Sequence, residues 1–143
     1  MKDVTTGLDA LVETPQMIGG RRWALLANQS AVTADLEPAR VVLSTAGTGP
    51  LVRLFAPEHG LDGVAQDMEE VGDQTDGLTG VEVKSLYGNN VETLAPAPSD
   101  LDDVDVLVVD LPDIGSRYYT FAATMDFAMQ RSEIDGIEVM VLD

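Results

Sequence analysis

The stretch LVRLFAPEHGLDG, Leu51 to Gly63, joins an apolar run to a polar pair. Leu51, Val52, Leu54, Phe55 and Ala56 have strand-like character, and Pro57 cannot extend a central ladder. Gly60 and Gly63 permit the backbone angles of a tight loop. A buried strand is therefore expected to deliver Glu58 and the chain's only histidine, His59, on a constrained turn at its tip.

Working outward toward the amino terminus, Ala39, Val42, Leu43 and Ala46 recur at the i, i+3, i+4, i+7 spacing of one helical face. Thr33 or Asp35 is expected to cap this helix, with Pro38 in its first turn and Gly47 closing it. Before it, Trp23-Ala24-Leu25-Leu26-Ala27 is a continuous apolar run, the pattern of a strand covered on both faces, and it ends in Asn28-Gln29-Ser30. Strand, helix and strand make a βαβ unit, whose hand is right in nearly all known cases. Further upstream, Thr6-Gly7-Leu8-Asp9 fits a capping box, which predicts a short helix from Gly7 to just before Pro15.

Toward the carboxyl terminus, Leu61 to Gly80 is acidic, punctuated by glycine and without clear periodicity. Such a length is expected to be a lid or wall near Glu58, or a solvated excursion. Val81 to Leu86 predicts a short strand ending at Tyr87-Gly88, and Ala95-Pro96-Ala97-Pro98 an extended connection. Val104 to Leu111, VDVLVVDL, predicts a central strand. After the turn Pro112 to Arg117, a helix is expected to bury Tyr118, Phe121, Ala122, Met125 and Met129 on one face and to end at Gly136. Val139 to Leu142 predicts a final strand.

Strands alternating with helices define a doubly wound, mostly parallel α/β sheet with flanking helices. The 143 residues, 45% hydrophobic and 23% charged, suit one domain with one core. Ligands in this architecture bind beyond the carboxyl ends of the strands. Asn28, Gln29, Glu58, His59, Tyr87, Asp110, Asp113, Arg117 and Asp143 are expected there, with Asp113 and Ser116 read as turn residues.

Twenty-five acidic against eight basic residues give a net charge of -17. That field disfavours nucleic acid and anionic membrane as partners. It fits an acidic surface suited to high salt or simply to solubility. No segment approaches the roughly 18 to 20 apolar residues of a membrane span, and no apolar leader follows Met1, so a cytoplasmic location is expected, or export if a leader has been removed. The absence of cysteine excludes disulfides and thiolate metal sites. No GxGxxG follows the first strand, Gly47-Thr48-Gly49-Pro50 precedes a strand rather than a helix, and there is no GxSxG elbow and no HExxH. Carboxylate chemistry helped by His59, with no cofactor and no metal, is what remains.

The segments GLDAL (Gly7 to Leu11), LLANQSAV (Leu25 to Val32), APEHGLDG (Ala56 to Gly63), TGVEVKSLYG (Thr79 to Gly88), DVLVVDLPDIGSRYYTFAATM (Asp105 to Met125) and VMVLD (Val139 to Asp143) together resemble the NamZ-like exo-β-N-acetylmuramidase family, long catalogued as a domain of unknown function. The resemblance runs through nearly the whole chain, and PEHG, SLYG and D-x-G-x-R-[FY]-Y-T are specific in combination. It implies a Rossmann-like amino-terminal part and release of terminal N-acetylmuramic acid from peptidoglycan fragments. Glu58 falls on the family's proposed catalytic acid. Such an acid must be kept protonated by an apolar or like-charged setting, here Phe55 and the Asp110/Asp113 edge. His59 would orient it or bind sugar hydroxyls, or is structural. Arg117 would clamp the lactyl carboxylate, or pair with Asp110 or Asp113. Asn28, Gln29, Tyr87, Asp110 and Tyr118 would line the pocket.

Pro112 stands where the family usually has Gln, and Asp62 where it has a basic residue. Family members continue well past VLD, so the chain is expected to be the amino-terminal part of a longer architecture, with a homodimer or a carboxy-terminal segment completing it. Two further readings stay open: a non-catalytic α/β module that binds a sugar or a partner chain, and a flavodoxin-like small-molecule domain.

Overall fold

The computed structural model describes residues 4–63, 74–88, 90–116 and 119–142. Residues 1–3 and 64–73, Asn89, Arg117, Tyr118 and Asp143 lie outside it, and with them the middle of the expected lid segment.

Helix α1 (Gly7–Glu13) begins where the capping box predicts: the Thr6 hydroxyl accepts the Asp9 N–H at 3.1 Å and donates to the Asp9 carboxylate at 2.8 Å. Strands β1 (Trp23–Ala27) and β5 (Val106–Asp110) are buried at every position, as unbroken apolar runs require in a sheet covered on both faces. Between β1 and β2 (Leu51–Ala56) runs α2 (Ala39–Thr45). β4 (Glu82–Ser85) and β6 (Glu138–Val141) add parallel strands. Among the described residues only β3 (Gln74–Thr75) is antiparallel, paired to β4. The order across the sheet is β3-β4-β2-β1-β5-β6.

The pleat divides the core in two. Leu25, Ala27, Leu54, Ala56, Val106 and Val108 face α1 and α2, while Leu26, Phe55, Leu86, Leu107 and Val109 face α3 (Phe121–Asp135). Helices on both faces of a mostly parallel sheet make this an α/β fold, with the order 3-2-1-4-5 among the parallel strands.

Three expectations change. Neither Thr33 nor Asp35 caps α2: Pro38 occupies the cap position with no side-chain bond, because Thr33 is engaged by the Glu37 N–H at 3.2 Å and Val32 bridges Pro38. In α3 the buried positions are Phe121, Thr124, Ala128 and Ser132, while Ala122 and Met129 are exposed and Met125 is half-buried. Apart from Phe121 the buried positions are thus small or hydroxyl residues, and the buried hydroxyl of Ser132 is satisfied by the Ala128 carbonyl at 2.8 Å. β3 was not foreseen, since it has two residues, both exposed.

The Gly47-Thr48-Gly49-Pro50 segment is a packing device. A Cβ on Gly49 would lie 2.5 Å from the Arg21 carbonyl, and the Gly49 carbonyl accepts the Trp23 indole N–H at 3.0 Å. Only glycine permits that approach.

Candidate functional site

Strand β2 ends at Ala56, and the next four residues form a turn closed by the Gly60 N–H on the Pro57 carbonyl at 3.0 Å. His59 has φ of 73° and Gly60 of 80°. A left-handed histidine is uncommon and strained by order 1 kcal/mol or more. The constrained turn expected from Pro57 and Gly60 is thus present, and it holds Glu58 and His59 half-buried beyond the strand's carboxyl end.

Thr120 lies immediately before α3, at the cap position, where a threonine ordinarily accepts a helix N–H. It makes no cap bond; its hydroxyl instead donates to Glu58 Oε2 at 2.8 Å. Glu58 and Thr120 share a cavity of about 190 Å³ with Leu86, Tyr87, Leu94 and Phe127. Tyr87 reaches it because the Leu86 N–H bonds the Ala56 carbonyl at 2.7 Å, which carries the β4–β2 pairing one residue past the strand. The Ser85 hydroxyl donates to the Tyr87 carbonyl at 3.2 Å and closes the bend.

Gln29 also meets the Glu58 loop, at its far end. It is exposed and lies across Gly63, where a Cβ would come within 2.4 Å of its Cδ. Asn28 is only 2% exposed; its Oδ1 accepts the Ser30 N–H at 3.1 Å and the Ser30 hydroxyl at 2.6 Å, and its Nδ2 has no partner.

Asp110 does not join Glu58. It alternates with Val106 and Val108, so it lies on the α1–α2 side of the sheet, two strands from β2, in a separate cavity with Ser30 and the start of α1. Among the described residues, Glu58 and Asp110 thus line different cavities of the carboxyl edge. Burial pushes the Asp110 carboxyl up from 3.8 to about 6. Asp113 is a turn residue, as expected, its Oδ1 accepting the Gly115 N–H at 2.9 Å. The expectations for Arg117, Tyr118 and Asp143 lie outside the described residues.

Two residues of consequence were not singled out from sequence. Thr120 is the Thr of the YYT motif, so a signal existed, but as a helix cap it reads as structural. Arg40 had none: it sits in α2, 8% exposed, donating to Asp62 at 2.7 Å and to Asp76 at 3.2 Å. Arg21, Arg22, Arg53, Lys84 and Arg131 are likewise in ion pairs, so every Lys and Arg among the described residues is paired with a carboxylate. Among the described residues no three His, Asp or Glu side chains are grouped to hold a metal ion.

Residues 23–143 match the family model described as exo-β-N-acetylmuramidase NamZ, N-terminal. The chain is 40% identical over 141 residues to the peptidoglycan β-N-acetylmuramidase NamZ of Bacillus subtilis (strain 168), covering 98% of this chain and 33% of that protein. A crystal structure of a DUF1343 family protein from Bacteroides fragilis NCTC 9343 superposes with a TM-score of 0.85 at 36% identity, over 97% of this chain and 34% of that one. A second DUF1343 protein of the same strain shares the fold, with a TM-score of 0.74 at 22% identity, over 99% of this chain and 35% of the other. The chain therefore spans about one third of the length of the relatives it matches.

Proposed function

This chain belongs to the NamZ family through the family's amino-terminal region, and from that premise we infer that it carries the general acid of a site that hydrolyses terminal N-acetylmuramyl glycosides of peptidoglycan fragments. The observation that carries this reading is the Glu58 turn: a carboxyl held at a strand tip, bonded by Thr120, at the wall of a cavity lined by Leu86, Tyr87 and Phe127.

In this reading Glu58 gives a proton to the departing glycosidic oxygen. Thr120 donates to Oε2, which leaves Oε1 to carry that proton toward the sugar. Thr120 is a positioning residue, since it acts through Glu58. Tyr87 offers a ring face to the pyranose and His59 a partner for sugar hydroxyls. Gln29 and Asn28 support the loop and the neighbouring strand end. With the described Lys and Arg side chains committed to ion pairs, Arg117 is assigned the lactyl carboxylate. In this reading Asp110, which lines the other cavity, is not part of the substrate pocket.

Release of a chromogenic group from an N-acetylmuramic acid glycoside tests the reading. Glu58→Gln is expected to lower kcat roughly 100- to 10,000-fold with the fold intact. Thr120→Val should lower kcat roughly tenfold with KM unchanged, rescued by Thr120→Ser. A Glu58→Gln variant as active as the parent would sink the assignment. A second reading, a sugar- or partner-binding module, draws on the apolar surface at Ile134, Met129 and Val141 beside β6, 72%, 41% and 46% exposed. Binding of the glycoside without turnover by the folded chain would favour it.

A further inference from the structure

In doubly wound sheets the ligand crevice opens where the strand order reverses, here between β1 and β5. A cavity of about 220 Å³ lies at that point. Leu8, Val32 and Leu142 form its apolar wall, and Asp110 and Ser30 its polar one. Asp110 is 8% exposed, and its Oδ2 has no hydrogen-bond partner. Buried polar groups are partnered in the great majority of cases, so an orphan oxygen in a cavity wall is a pointer to a ligand.

The remaining polar side chains there decide which ligand. The Ser30 N–H fixes the orientation of the Asn28 amide, so the Ser30 hydroxyl spends its proton on Asn28 Oδ1. Thr6, also in the wall, spends its proton on Asp9. Among the described residues the wall's side chains thus present lone pairs and no free donor, and none of them is Lys, Arg or His. The Gly7 and Leu8 backbone N–H groups at the start of α1 are the donors of the wall, but an anion would meet the unpartnered Asp110 carboxylate there. A donor bearing positive charge would satisfy Asp110, and the chain's net charge of -17 draws cations to the surface. The raised Asp110 pKa agrees with a carboxyl desolvated without a counter-charge.

We propose that this cavity binds a primary ammonium group on a short alkyl chain, with Asp110 as counter-ion, Ser30 Oγ as second acceptor, and the alkyl part against Leu8, Val32 and Leu142. The site stands apart from the Glu58 compartment and does not depend on the glycosidase reading.

The test is titration of the chain with n-butylammonium chloride, followed through the backbone amides of Leu8, Ser30 and Val32 by NMR. Tetramethylammonium chloride, which has the charge but no N–H, and n-butanol, which has the chain but no charge, are titrated at equal ionic strength. Saturable shifts are expected with n-butylammonium alone, at least roughly tenfold weaker in Asp110→Asn and unchanged in Asp113→Asn. n-Butylammonium should also raise the thermal midpoint of the unmodified chain where tetramethylammonium does not, a readout independent of any variant. The proposal is overturned if n-butylammonium produces no saturable shift, if either control saturates the same amides equally well, or if folded Asp110→Asn binds as the parent does.

Discussion

Asp76 and Asp110 are both buried on the α1–α2 side of the sheet, 5% and 8% exposed, yet one is enclosed by partners and the other has an oxygen with none. Asp76 Oδ1 receives Arg40, and Asp76 Oδ2 receives the Thr79 hydroxyl at 2.6 Å and the Thr79 N–H at 2.9 Å. Burial by itself would push its carboxyl up. The hydroxyl and N–H of Thr79, the Arg40 charge and the Leu78 N–H outweigh burial and hold it below its ordinary value. At Asp110 burial acts alone and the shift runs the other way. A buried carboxylate is thus a structural tie where the fold brings a cation and donors to it, and an unsatisfied group at a cavity where it does not.

The position of the tie explains its use. Asp62 and Asp76 flank residues 64–73, and both meet Arg40 on α2. Asp62 is also three residues past His59, so the same guanidinium anchors the Glu58 loop to the helix layer.

The largest effect expected from this contrast is at Arg40. Arg40→Met leaves Asp76 buried without its cation and should cost about 3–5 kcal/mol in urea unfolding. A cost below about 1 kcal/mol would break the contrast, by showing that Thr79 alone satisfies Asp76.

Asp110→Asn should have the opposite sign. Because the folded pKa is raised, the native state holds the proton more tightly than the unfolded chain between 3.8 and about 6, so stability falls as pH rises through that window. Removing the titration should stabilise the chain by up to about 2–3 kcal/mol at pH 7, with no gain at about pH 3. Equal gains at both pH values would mean that packing and not ionisation is responsible. For Asp76 the depressed value gives the reverse: its contribution is present above the ordinary carboxylate pKa and is lost as pH falls through the folded value. Asp76→Asn should therefore flatten the acid limb of the stability curve below about pH 4, measured by thermal unfolding across pH. The smallest effect is at the cavity rim. Thr6→Ala removes the capping box beside Asp110 and should cost about 1 kcal/mol, without moving the pH dependence assigned to Asp110.

Much of the fold was legible before the structure. Trp23–Ala27, Leu51–Ala56 and Val106–Asp110 are apolar runs whose strand character depends only on local pattern, and Thr6–Asp9 announces α1 by a contact three residues long. β3 was not legible because a two-residue edge strand has no period. On α3 the large residues Met125 and Met129 suggest a stripe with Phe121, whereas in the fold Phe121 is joined in burial by Thr124, Ala128 and Ser132.

At the candidate site, Pro57 and Gly60 announced a constrained turn, and the turn is there. Thr120, 62 residues from Glu58, was not legible as its partner, because a hydroxyl at a helix start reads as a cap. By itself the sequence determined the strand alternation, the polar residues at the carboxyl edge and the strong negative charge. Those depend on neighbours a few residues apart. Tertiary structure alone decided that Glu58 and Asp110 fall on opposite sides of the sheet, and that Arg40 reaches Asp76 across 36 residues and does not reach Asp110. The physical reason is that a carboxylate's chemistry depends on what comes within a few ångströms of it, and folding brings those groups from distant parts of the chain.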